Sequence, residues 1–156
     1  MNRPHPRPLR GAVMVEFALT VMMLVALVFG ITELGRALYQ WNTLTKAAEV
    51  GVRFLSRAYD QLDPLTCAPK AGWASSVTKA KNLVVYGQET AIPPARLPGL
   101  APANVSVQVL PYNASFKACP LRIDVTGVPF DSPVLVGLFG FNITLSAHAE
   151  ERYIGE

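Results

Sequence analysis

Histidine is nearly absent from this chain of 156 residues, occurring only at His5 and His148. His148 alternates with Ala147 and Ala149, which places it on the polar side of a strand, a surface position rather than that of a general base. Cysteine is as scarce, and neither Cys67 nor Cys119 has Cys or His neighbours at the spacing of a zinc site. The sequence also lacks a phosphate-cradling glycine loop and the serine-centred turn of hydrolases. These gaps leave no catalytic, cofactor-binding or metal-ligating residue to assign, so the chain is read as a non-enzyme without a cofactor. A basic excess is missing too. The net charge of +3 is accounted for by Arg3, Arg7 and Arg10; of the fourteen Lys and Arg, eleven lie beyond Gly11 against eleven Asp and Glu, which offers nucleic acid no positive surface.

Acidic residues are scarcest where the apolar run is longest. From Ala12 to Ile31, about 20 residues, the chain can cross a hydrocarbon core of about 30 Å as a helix, and Glu16 is its only ionisable side chain. A carboxylate at mid-membrane costs on the order of 2 to 3 kcal/mol, less toward an edge, so Glu16 requires a partner or a nearby interface. Basic residues just before the run, with Glu33 and Arg36 offsetting each other just after it, put the N-terminus in the cytoplasm and the remainder outside. A cleaved secretory signal would have an apolar core of about 7 to 15 residues; this run is longer and continues into a helical pattern.

Leu34, Leu38, Trp41, Thr45, Ala48, Val52, Leu55 and Tyr59 follow steps of three and four, so one helix is expected from about Ala12 to Tyr59. Glu49 and Arg53 suit an i,i+4 ion pair, and Gly30, Gly35 and Gly51 mark bends or close helix approach. Asp60 to Gly72 reads as a loop and Trp73 to Gly87 as a second helix, with Lys79 and Lys81 on its solvated face. Gln88 to Ala103, interrupted by four prolines, reads as an extended connection. The period then changes to two, giving strands over Val105 to Val109, Leu121 to Thr126 and Ile143 to Glu150. Val128 to Phe141 connects the last two, and its apolar run Val134 to Phe139 either packs on its own domain or forms a docking surface.

The expected fold is α+β: a long N-terminal transmembrane helix continues into a small head, where the second helix packs on a three-stranded antiparallel sheet. The boundaries read as a cytoplasmic leader over 1–11, a transmembrane helix over 12–33, its extramembrane continuation over 34–59 and a periplasmic head over 60–156. On that topology Cys67 and Cys119 lie on the oxidising side and are expected to form a disulfide, whose loop of about 50 residues corresponds to roughly 4 kcal/mol in the chain-entropy model.

Gly11, four apolar residues, then Glu16 and Phe17 resemble the prepilin processing motif, in which a membrane peptidase cuts after the glycine. Cleavage between Gly11 and Ala12 would make Glu16 the fifth residue of the mature chain. In type IV pilin-like proteins, which this resembles, that carboxylate meets the new N-terminal ammonium of a neighbouring subunit, and two charges costly to desolvate singly become tolerable as a pair. Together with Gly30-Ile31-Thr32-Glu33-Leu34-Gly35-Arg36 and Ala47-Ala48-Glu49-Val50-Gly51-Val52-Arg53, the first 55 residues or so resemble the TadE-like family of tight-adherence pilus proteins. Glu49 stands where that family often has Arg, a departure that touches neither the processing nor the membrane positions.

The resemblance implies a pilin-like fold and a pseudopilin or minor pilin of the bacterial inner membrane, with its head in the periplasm. Its partners would be the membrane, a prepilin peptidase, and other pilins and pseudopilins, with Glu16 and Phe17 in the intersubunit contact. The alternative is a single-pass membrane-anchored adaptor or binding module that keeps its N-terminus.

Overall fold

The computed structural model describes residues 10–115, 117–132, 140 and 142–155, with the backbone alone at Arg10. Residues 1–9 of the leader, with Arg3, His5 and Arg7, and the run Val134 to Phe139 lie outside the described residues. No proline falls between Pro8 and Pro64, so every amide in between can donate to the ladder of a helix. That helix is α1, Arg10–Ser56. The chain divides into two compact units at Arg36/Ala37.

In the first unit α1 is apolar all round, and every side chain from Gly11 to Thr32 is exposed. Its threonines are self-sufficient: Thr20 Oγ1 donates to the Glu16 carbonyl at 2.8 Å and Thr32 Oγ1 to the Val28 carbonyl at 2.9 Å. Such back-bonding removes the cost of a hydroxyl in an apolar setting. The expected balance of Glu33 and Arg36 is an ion pair, Arg36 Nη1 to Glu33 Oε1 at 3.1 Å.

In the second unit the rest of α1 packs on α2, Trp73–Tyr86, and on an antiparallel sheet in the order β1-β2-β3, with β1 Val105–Val109, β2 Pro120–Phe130 and β3 Ile143–Arg152. Alternate side chains of the strands enter the core: Val105, Leu121, Ile123, Val125, Ala147 and Ala149 meet Leu44, Ala48, Val52 and Leu55 of α1 and Ala80 and Val84 of α2. The opposite face is polar, and there Arg122 bonds Asp124 at 2.8 Å and Glu150 at 3.3 Å. The second helix stops where expected, at Gly87, whose φ of 80° lets its N–H reach back to the Leu83 carbonyl.

Gly51 sits where α1, α2 and β2 come closest. A Cβ there would stand 2.6 Å from Val84 Cγ2 and 3.0 Å from Ile123 Cδ1. Close approach is therefore the reason for this glycine; Gly30 and Gly35 have open space beside them.

Three expectations need correction. The long helix ends at Ser56, not Tyr59, because its last carbonyls are taken by other segments: Ile154 N–H donates to the Ser56 carbonyl at 2.8 Å and the Tyr153 hydroxyl to the Ala58 carbonyl at 2.7 Å. The second strand runs through Val128 to Phe130, which had read as connection. One extra residue is accommodated between Val125 and Val128, against Ala147 and Leu145 of β3, in a bulge at Thr126 and Gly127. There Gly127 has φ of 69° and Asn104 Nδ2 donates to both bulge carbonyls. Finally, Glu49 and Arg53 are both exposed and make no ion pair among the described residues; at an exposed site the attraction barely offsets the entropy of holding two long side chains.

The disulfide is formed between Cys67 and Cys119, with Cα atoms 5.5 Å apart. The turn that delivers Cys67 is organised by the Asp63 carboxylate, which accepts N–H bonds from Thr66 at 2.8 Å and Leu65 at 2.9 Å. These backbone donors, Thr66 first, hold its pKa below the usual carboxylate value. On the other side of the bond, the Cys119 carbonyl accepts from Tyr153 N–H at 2.8 Å. The buried Tyr153 hydroxyl accepts from Gln61 N–H at 2.7 Å and lies 2.7 Å from both the Ala58 and Gly155 carbonyls.

Two substitutions measure these contacts in the full chain in detergent, followed by urea unfolding. Gly51→Val should destabilise the head by about 1 to 3 kcal/mol through overpacking, with Gly51→Ala less affected because one methyl demands a smaller shift. Tyr153→Phe removes a hydroxyl that serves several buried backbone groups, and the unsatisfied groups should cost about 1 to 3 kcal/mol.

Candidate functional site

Among the described residues no group of His, Cys, Asp and Glu is placed to hold a metal ion. The distinctive chemistry lies instead in the first turns of α1, in the first unit. Gly11 and Ala12 open the helix, and Glu16 and Phe17 follow a little over one turn later. All four are exposed, with Phe17 69% so.

Two features of these residues have no explanation among the described residues. A Cβ at Gly11 would meet nothing within 4 Å, and no positive φ demands glycine there. Helix propensity favours almost any other residue by up to about 1 kcal/mol, so the fold gives no reason for a glycine. Glu16 is the second. Its backbone carbonyl receives the Thr20 hydroxyl, while its carboxylate has no partner among the described residues. With Thr20 satisfied internally, Glu16 is left as the polar side chain of the apolar run that still needs something from outside the chain.

The geometry around it is suited to lipid or to other apolar helices. Among the described residues one helix is long and apolar enough to cross a membrane, and no part of its apolar window is buried. Such an element suits a single-pass membrane anchor. Val13, Met14, Leu24, Phe29 and Ile31 are each more than half exposed, a surface that water would not tolerate in bulk.

The other assigned pair, Cys67 and Cys119, belongs to the head and is joined there as expected. It belongs to the second unit and stabilises the head. What sequence periodicity misread is the face of Leu34, Leu38 and Trp41. They extend the apolar seam of α1, yet in the structure they are 59%, 57% and 49% exposed, and the first fully buried apolar residue of the helix is Leu44. The signal that separates them is aromatic: Tyr39 and Trp41 follow an apolar run of membrane length after the Glu33 and Arg36 that flank it.

No curated protein and no solved structure matches the chain. A family model does match, over residues 11–53, and its description is TadE-like protein. The match starts at the glycine that the fold does not explain, takes in Ala12, Glu16 and Phe17, and ends at Arg53 beside the close approach of Gly51. Residues 11–53 of this chain are thus similar to a TadE-like domain.

Proposed function

We propose that this protein is a pseudopilin or minor pilin of a tight-adherence pilus, cut between Gly11 and Ala12 by a prepilin peptidase and acting by assembly rather than by catalysis. The observation that carries the reading is the pairing of two externally directed residues at the motif's spacing. Gly11 has no neighbour that excludes a side chain, and Glu16 has an exposed carboxylate without a partner in the described chain. A peptidase that needs a small residue beside the scissile bond accounts for the first. A neighbouring subunit's new ammonium accounts for the second, because a buried ion pair fixes register even where it adds little stability. The match to the TadE-like family model supports the same role.

In this reading Arg10 and the residues before it stay in the cytoplasm, α1 crosses the inner membrane once, and the disulfide-bonded head is periplasmic. The partners are the peptidase, the bilayer and other pilins or pseudopilins. The apolar surface of α1 serves as lipid contact before assembly and as helix contact after it.

N-terminal peptide mass spectrometry of the protein from its native membrane should find Ala12 as the first residue, and Gly11→Leu should leave an uncut precursor. A native N-terminus at Met1 would instead identify an unprocessed anchored adaptor. Glu16→Gln tests the ion pair separately: it keeps shape and hydrogen-bonding capacity but leaves the neighbour's ammonium unpaired, at a cost of about 3 to 5 kcal/mol. The variant should insert and be cut, yet disappear from crosslinked complexes with other pilins and fail to support piliation. Unchanged crosslinking and piliation would exclude the paired-charge role.

A further inference from the structure

The apolar exposure of α1 does not end with the run that first defines it. Ile31 is 63% exposed, and beyond it Leu34, Leu38, Tyr39 and Trp41 remain between about half and three-quarters exposed, beside a narrower covered face of Glu33, Ala37 and Gln40 that leads to the core residue Leu44. Leu38, Tyr39 and Trp41 belong to the second unit, so they open the helical part of the head. In water they would form an uncovered apolar collar immediately beyond the span. Between the span and this collar the described charges are Glu33 and Arg36, held together at 3.1 Å, and Glu33 is itself buried. The next charge is Lys46.

We propose that this collar sits in the outer headgroup zone of the same bilayer, so that the membrane-contacting part of α1 runs from Ala12 to Trp41 rather than stopping near Glu33. Three observations select lipid as the occupant. The collar is continuous along α1 with the apolar run. Its composition is that of an interface, since Tyr and Trp present an apolar body and a polar tip and concentrate at headgroup level. Its length also fits: about 30 helical residues from Ala12 to Trp41 rise about 45 Å, which matches a bilayer of about 40 to 45 Å with its headgroup zones included. The inference rests on reading α1 as a membrane span, though not on processing at Gly11.

The chain has two tryptophans, and Trp73 packs against the head's core. Trp73→Phe therefore leaves Trp41 as the sole reporter in full-length protein reconstituted into phosphatidylethanolamine and phosphatidylglycerol vesicles. Lipids brominated at the headgroup end of the acyl chains should quench most of its emission, lipids brominated near the chain ends should quench less, and aqueous iodide should quench little. Subtracting the emission of Trp41→Phe from that of the unmutated chain reads the same quantity if Trp73→Phe does not fold. Strong iodide quenching without bromolipid quenching would put the collar in water and overturn the inference. Protection from both quenchers that grows with the protein-to-lipid ratio would assign it to a second copy and overturn it equally. A chain with Phe29→Trp and both native tryptophans replaced by Phe separates the two layers of the reading. Deep bromine quenching at position 29 with none at Trp41 rejects the collar alone, whereas no quenching at either site rejects the span as well.

Discussion

Hydrocarbon and water make opposite demands on the surface of a helix, and α1 answers both along one ladder of hydrogen bonds. From Gly11 to Thr32 its side chains are exposed and apolar on every side, and even its two threonines turn their hydroxyls back onto the backbone. From Leu44 the same helix becomes one-sided, burying Leu44, Ala47, Ala48, Val52 and Leu55 and leaving Lys46, Glu49 and Arg53 to water. Backbone polar groups unsatisfied in lipid cost several kcal/mol each, so an unbroken helix is what allows a single element to serve both environments.

The head has little mass with which to build a core, and it compensates by close approach and by cross-links. Gly51 lets α1 settle against Val84 and Ile123 without a side chain between them. The disulfide ties the loop after α1 to the start of β2, and Tyr153 binds both the Cys119 carbonyl and the end of the helix. Surface ion pairs such as Lys79 with Glu89 add little beside these. Domains of this size bury a modest share of their surface, which is why one covalent bond and one buried hydroxyl carry so much of the geometry.

Much of this arrangement was legible in the residues. The alternation of Val105, Val107 and Val109, and of Leu121, Ile123 and Val125, located two strands, and Gly87 marked the end of α2. The pattern failed where the chain solves a problem non-locally. Carbonyls at the end of α1 are capped by Tyr153 and Ile154, far along the sequence, so nothing near Tyr59 announced the stop. The bulge at Gly127 shifts the period by one residue and makes Val128 look like connection although it is buried. Apolar periodicity also cannot distinguish a side chain facing a core from one left exposed, which is why the seam of Leu34, Leu38 and Trp41 reads as packed although the structure exposes it. Gly11 and Glu16 were legible by spacing alone, and the structure adds that among the described residues nothing crowds Gly11 and nothing pairs with the Glu16 carboxylate.

The clasp at the end of the chain also sets an order of events. The Ala58 carbonyl receives its hydrogen bond from a residue 95 positions later, and β3 and the N–H group of Ile154 arrive in the same stretch of synthesis. A helix forms in about a microsecond or less, whereas a ribosome adding about 5 to 20 residues per second needs roughly 5 to 20 s to supply that partner. Cys67 and Cys119 both emerge before it. The end of α1 is therefore uncapped, and the sheet lacks its third strand, for a period set by translation and not by folding. The newborn head lacks this clasp until Tyr153 and Ile154 are made.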